Sequence, residues 1–336
     1  MKAAVIHEFK QPLAVQNVDV PVPHADEVLI QVEACGVCHS DLSIADGDWP
    51  QLKRIIKVPL IPGHEAVGRV VKVGSGVTEL AVGDRAGVAW LHFSCGVCEF
   101  CQEGLENLCL KQTITGASVD GGYAEFIKAK ASHALKVPDA LSSEEAAPLF
   151  CAGVTSYRAV KLTGIQPGQK LAVFGIGGLG HLAVQIAKTF GAQVIAVDIA
   201  EDKLKLAREL GADQTVNASS EDVAKTFRNM GGVHAAVVTS SAKAAYAQAF
   251  YAVRGAGTLM VVGLPAEDLA FPAIMMREIK IRSVATGTRD DMRAVLDLAA
   301  TGKIRCLVET CSLTSINEVF DKMRRGQITG RIVIKM

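Results

Sequence analysis

Residues 170–198 read KLAVFGIGGLGHLAVQIAKTFGAQVIAVD, and this stretch decides the fold of the second half of the chain. Lys170–Phe174 is a short apolar run of strand type. Gly175, Gly177 and Gly180 then satisfy G-x-G-x-x-G. Leu179, Leu182, Ala183, Ile186, Ala187 and Phe190 follow at helical spacing on one stripe, and Gly191 ends the helix. Val194–Val197 is the next buried strand, closed by Asp198. Between a strand and a helix, the first glycine permits a tight turn and the second lets backbone approach a pyrophosphate. The third lets helix and strand pack closely. The helix N-terminus offers free N–H groups and the positive end of its dipole to phosphates. Asp198 lies 18 residues past Gly180. A carboxylate there suits ribose hydroxyls and would repel a 2′-phosphate, so NAD is favoured over NADP.

The alternation continues outward. Leu204 to Leu210 is helical and stopped by Gly211, and strands at 234–239 and 257–262 flank a further helix. That order signals a parallel sheet covered on both faces. Upstream the texture differs and reads mainly as β. Val28, Ile30, Val32 and Ala34 share one face of Glu27–Ala34, while 68–77 and 80–89 are valine-rich and broken by Gly74, Gly76 and Gly83. Short strands of that kind suit a compact barrel-like domain. The change falls near Gly153. From about residue 287 the tail is expected to hold one helix and a final strand, Arg331–Lys335.

The totals narrow the class. A chain of 336 residues suggests two domains. Lysine plus arginine and aspartate plus glutamate both number 35, so nothing favours nucleic acid or an anionic membrane as partner. No apolar run reaches the roughly 18 residues of a membrane span, and the opening MKAAVIHEFKQP lacks the marks of a signal peptide. The expectation is a cytoplasmic protein. In a reducing compartment its nine cysteines point to metal or catalysis rather than disulfides.

Four of them lie in CGVCEFCQEGLENLC, with two, two and seven residues between Cys95, Cys98, Cys101 and Cys109. Four thiolates so spaced can wrap one tetrahedral zinc with no open position, a structural site. The neighbouring Glu99, Glu103 and Glu106 are wrong for phosphate binding. Cys38 in GVCHSD, His64 in PGHEAVG and Cys151 in LFCAGV lie far apart in sequence. Brought together, they form a three-ligand zinc site with one position open, the arrangement of a catalytic metal. Ser40 is placed to pass a proton from a bound hydroxyl, His39 to meet cofactor phosphates, and Glu65 to stand behind the metal or ligate it occasionally. Cys35, Cys306 and Cys311 are read as small buried hydrophobes.

With both cysteine clusters, GHE and the glycine motif in order, the chain resembles the zinc-containing medium-chain alcohol dehydrogenases, in their bacterial and yeast-like branch. The resemblance implies an α/β protein: a GroES-like β-rich catalytic domain over 1–152 and 286–336, and a Rossmann doubly wound parallel sheet over 153–285. It implies catalytic-zinc ligands at Cys38, His64 and Cys151, structural-zinc ligands at Cys95, Cys98, Cys101 and Cys109, and so two zincs per chain. The implied cofactor contacts are His39, Thr155, Gly175, Ile176, Gly177, Gly178, Leu179, Gly180, Asp198, Lys203, Gly263, Leu264 and Arg331, with Trp49 and Trp90 lining a substrate pocket. The implied reaction is reversible hydride transfer between a primary or secondary alcohol and NAD, in a homotetramer. A polyol or other zinc-dependent medium-chain dehydrogenase is the alternative, although polyol enzymes usually carry glutamate where Cys151 stands. A zinc protein that senses NAD without turnover is a third reading, for which the chain shows no partner-binding module.

One departure matters. Close relatives read CHTDLHAAHGDW where this chain reads CHSDLSIADGDW, so Ser43 and Asp46 replace histidines. Serine cannot accept a proton near neutral pH as imidazole can. Proton release through cofactor ribose and water is therefore expected, with slower oxidation at neutral pH.

Overall fold

In the computed structural model, which describes residues 1–49, 53–265, 268–271 and 274–336, Lys170–Phe174 is a strand buried from Leu171 onward. It lies inside a six-stranded sheet whose spatial order is Gln214–Asn217, Gln193–Asp198, Lys170–Phe174, Val233–Val238, Val253–Val261 and Lys280–Ser283. Every neighbouring pair is parallel. The chain runs outward in one direction from Lys170–Phe174 and then back past it, which makes this strand's C-terminal end a switch point of the kind that receives ligands in doubly wound sheets. Helices Gly180–Thr189, Glu201–Glu209, Val223–Asn229 and Lys243–Ala252 form the crossovers. Phe174, Val197, Phe227, Val238 and Phe250 are among the side chains of its core.

The helix after the glycine turn departs from the single-stripe expectation, since every residue from Gly180 to Ala187 is buried. Gln185 supplies the reason. Its amide donates to Arg305 O at 2.9 Å and its Oε1 accepts from Arg305 N at 2.9 Å, laying the segment 302–305 against the helix.

The chain divides into two compact units, Met1–Val154 with Thr288–Thr301 and Cys306–Met336, and Thr155–Gly287 with Gly302–Arg305. The first is organised around the strand Glu27–Val37. On one edge it pairs antiparallel with Ala66–Val73, which continues to Arg85–Val88 and Leu135–Lys136. Its other edge is shared: residues 27–31 pair with Phe126–Lys130 and residues 34–37 with Arg331–Lys335. The strand thus runs three residues past the expected end at Ala34, which delivers the chain to Cys38 from a fixed register.

Other expectations are corrected. Of 80–89 only Arg85–Val88 is strand, because the preceding turn is held by Ala81 and Asp84. The tail holds two helices, Arg289–Ala300 and Ile316–Arg324, and two strands, Val308–Ser312 and Arg331–Lys335. Cys35 is buried as expected, but Cys306 and Cys311 are half-buried. No helix among the described residues is long and apolar enough to cross a membrane.

Candidate functional site

The register of Glu27–Val37 and Ala66–Val73 sets Cys35 opposite Ala66, so the segments that follow one strand and precede the other, at Cys38 and at His64, start from neighbouring points. One ligand atom each from Cys38, His64, Glu65 and Cys151 lies within 4.8 Å of the others, and all four residues are buried. The two sulfurs are 3.7 Å apart. His64 Nδ1 meets Asp41 Oδ1 at 2.7 Å, while His64 Nε2 is buried with no hydrogen-bond partner. An imidazole nitrogen left bare in the interior is costly, and beside two thiols it has the donor chemistry of a zinc ligand. Asp41 fixes the tautomer that leaves this lone pair free.

The groups of the cluster are electrostatically coupled: the hydrogen bond that lowers Cys38 raises Cys151, and against the pull of burial Asp41 holds His64 well above its ordinary pKa. The Cys38 thiol is held well below its ordinary pKa, chiefly by a hydrogen bond from Cys151 that outweighs burial. Glu65 is pushed up to about 8 by burial, against the pull of Arg331. Arg331, the first residue of the final strand, forms a buried ion pair with Glu65 Oε1; Glu65 Oε2 and Arg331 Nε have no hydrogen-bond partner. Arg331 is thus committed to Glu65 in this unit. The Trp90 ring meets His64 edge-on at 5.0 Å and Trp49 at 6.1 Å, so both tryptophans are brought to the site. Ser40 and His39 open the helix His39–Asp46, the former half-buried and the latter exposed.

The second cluster, Cys95, Cys98, Cys101 and Cys109, also gathers four sulfurs within 4.8 Å. The lobe that carries it is tied down by Glu106, which accepts from Arg289 N at 2.8 Å and from Arg289 Nε at 3.0 Å. Arg289 Nη1 reaches on to Ser132 O at 2.8 Å.

The other unit holds the remaining expected residues. A Cβ at Gly180 would lie 1.8 Å from Gly175 O, so the close strand–helix approach demands glycine, while a Cβ at Gly177 would meet nothing within 4 Å. That open face over backbone N–H groups fits a pyrophosphate. Gly178 and Leu179 complete the turn, and Thr155 is buried in the helix Ala152–Leu162. Asp198 ends its strand with both oxygens engaged, Oδ2 by Ile176 N at 2.6 Å and Oδ1 by Ile199 N at 2.8 Å and Ala200 N at 3.1 Å. A carboxylate has about four acceptor positions, so capacity for a ribose hydroxyl remains. Lys203 lies in the first turn of Glu201–Glu209, and Gly263 and the exposed Leu264 follow Val253–Val261.

Asp41 and Arg289 escape the sequence reading. Asp41 stands three positions after Cys38, a spacing typical of a carboxylate that reaches back to a helix start, and it accepts from Cys38 N at 3.0 Å. Arg289 has no signal of its own that would name Glu106.

Residues 24–139 match the family model of the alcohol dehydrogenase GroES-like domain, and residues 178–301 that of the zinc-binding dehydrogenases. The chain is 50% identical to an alcohol dehydrogenase of Geobacillus stearothermophilus over the full length of both. Among solved structures it superposes on acetophenone reductase from Geotrichum candidum in complex with NAD (TM-score 0.89, 34% identity, 100% of this chain and 97% of that one). A protein described as a zinc-binding dehydrogenase from Sinorhizobium meliloti 1021, bound to NADP, also superposes (TM-score 0.89, 28% identity, 100% and 99%). Two gathered cysteine-bearing clusters and a glycine turn on a parallel sheet define a zinc-binding dehydrogenase, and this chain belongs to the zinc-containing alcohol dehydrogenase family.

Proposed function

We propose that the chain interconverts a primary or secondary alcohol and its aldehyde or ketone with NAD, using a catalytic zinc at Cys38, His64 and Cys151. A structural zinc would sit at Cys95, Cys98, Cys101 and Cys109. The observation that carries this reading is the bare His64 Nε2 buried among two thiols and a carboxylate. When bound, the metal supplies a Lewis acid for the substrate oxygen and the nicotinamide accepts hydride.

The chain's own residues do the rest. Asp41 holds the His64 imidazole, and Arg331 anchors Glu65 behind the thiols. Ser40, a half-buried residue at the helix start, takes up the alcohol proton and hands it outward. Trp90 and Trp49 form an apolar wall next to His64. Asp198 favours NAD because a 2′-phosphate would face its carboxylate. On this reading the first unit is the catalytic domain and the second the cofactor domain.

The test is NADH formation from ethanol and benzyl alcohol with NAD and NADP in parallel, alongside metal analysis. Two zincs per chain and a clear NAD preference are expected. Cys38→Ser should abolish turnover while sparing NADH binding, and retained turnover would remove the assignment.

A further inference from the structure

Asp41 is fully buried and receives four hydrogen bonds. Oδ1 accepts from His64 Nδ1 at 2.7 Å and Gly63 N at 3.2 Å; Oδ2 accepts from Cys38 N at 3.0 Å and from the Tyr123 hydroxyl at 2.9 Å. Four donors fill the acceptor positions of one carboxylate. Three of them come from the two segments that carry Cys38 and His64. The fourth, Tyr123, comes from 82 residues away from Asp41.

Tyr123 is itself held rigidly. Its ring is fully buried, and its backbone donates to Pro62 O at 3.0 Å and accepts from Ala4 N at 2.9 Å. Gly122 N bonds Gly63 O at 2.8 Å, so the segment is laddered onto the residues just before His64. Gly63 has φ +97°, and a Cβ there would come within 2.4 Å of the Tyr123 ring. The chain thus gives up a side chain at position 63 to seat this ring against the loop that presents His64.

We infer that Tyr123 is a positioning residue for the metal site: its hydroxyl pins the Asp41 carboxylate, which pins the His64 imidazole and so aims Nε2. Without that donor Oδ2 keeps only Cys38 N, so the carboxylate is held at three points instead of four and the Nδ1 contact is less sharply aimed. Groups that orient a ligand in this way typically change metal affinity about 10–100-fold when removed. The inference rests on the proposed zinc site at Cys38, His64 and Cys151.

The test compares zinc release to a colorimetric chelator from the full chain and from Tyr123→Phe, which keeps the ring and removes the hydroxyl. Release from the Cys38 site should quicken about tenfold, while release from the four-cysteine lobe stays unchanged. The visible bands of cobalt at the Cys38 site should shift, and a small drop in the metal-free melt, from the one hydrogen bond lost to a buried carboxylate, should leave zinc release from the lobe at the parent rate. If the phenylalanine variant does not accumulate, Tyr123→Met, which also lacks the hydroxyl, repeats the comparison. Equal release and an unshifted cobalt spectrum would overturn the inference, as would equal acceleration at both sites with a lowered metal-free melt. A parent chain that carries zinc in the lobe alone sinks the underlying site assignment instead.

Discussion

Ser43 is buried, and it stands on the helix that opens with His39 and Ser40. It has no group that titrates near neutrality, so in the proposed relay a proton leaving Ser40 would find no imidazole at this position. Ser43→His should raise alcohol oxidation near neutral pH and shift the pH–rate profile; superimposable profiles would dismiss the idea. A second residue makes stability depend on pH. His133 is pushed down to about 4, first by burial and then by the nearby Arg289 charge. Its Nε2 accepts from Ser94 N at 3.0 Å, a bond that protonation would break. The folded state therefore refuses a proton that the unfolded chain takes below its ordinary value of 6.5. Stability is complete above that pH and falls as pH drops toward 4, by about 3 kcal/mol at the limit. His133→Gln should flatten this part of a melting-temperature-versus-pH curve, and an unchanged slope would assign the acid sensitivity elsewhere.

Among the elements, the turn after Lys170–Phe174 is the least forgiving. Gly180→Ala places a methyl group 1.8 Å from Gly175 O, an overpacking expected to cost about 1–3 kcal/mol. NADH titration followed by fluorescence should show weaker binding, and parent-like affinity would mean that the turn yields. The four-cysteine lobe depends on a different joint. Glu106 caps the start of the helix Arg289–Ala300 and pairs with Arg289 there. Arg289→Ala leaves a half-buried carboxylate with only the backbone N–H of position 289 and should lower stability by about 1–3 kcal/mol; denaturant titration of the zinc-loaded protein measures it. These elements differ in how plainly the sequence announces them. Lys170–Phe174 is apolar and buried from Leu171 to Phe174 and is followed by glycines that mean one thing in that setting. Ile316, Val319 and Phe320 are buried at helical spacing, a pattern that is present but brief. Val308–Ser312 reads VETCS and is mostly exposed, so neither alternation nor an apolar run marks it as a strand.

For the molecule as a whole, the four-cysteine candidate site is legible because its spacing is a chemical signature that needs no three-dimensional knowledge, whereas Cys38, His64 and Cys151 are read together only from their donor chemistry and the resemblance. The buried carboxylate behind those three is not legible, because Asp41 in a sequence looks like any solvated aspartate. The same holds for Tyr123 and Arg331, whose partners lie 82 and 266 positions away. Nothing local encodes such distances; only the pairing of Glu27–Val37 with its neighbours does. The separation of Glu65 from Arg331 also bears on how the protein is made. A ribosome releases the His64–Glu65 segment long before it reaches codon 331, so the nascent polypeptide holds an acid whose counter-ion has yet to be synthesised. Proper closure of this pocket must therefore be among the last events of biogenesis. Chains stopped short of position 331 should fold their sheet of parallel strands yet fail to retain zinc beside Cys38.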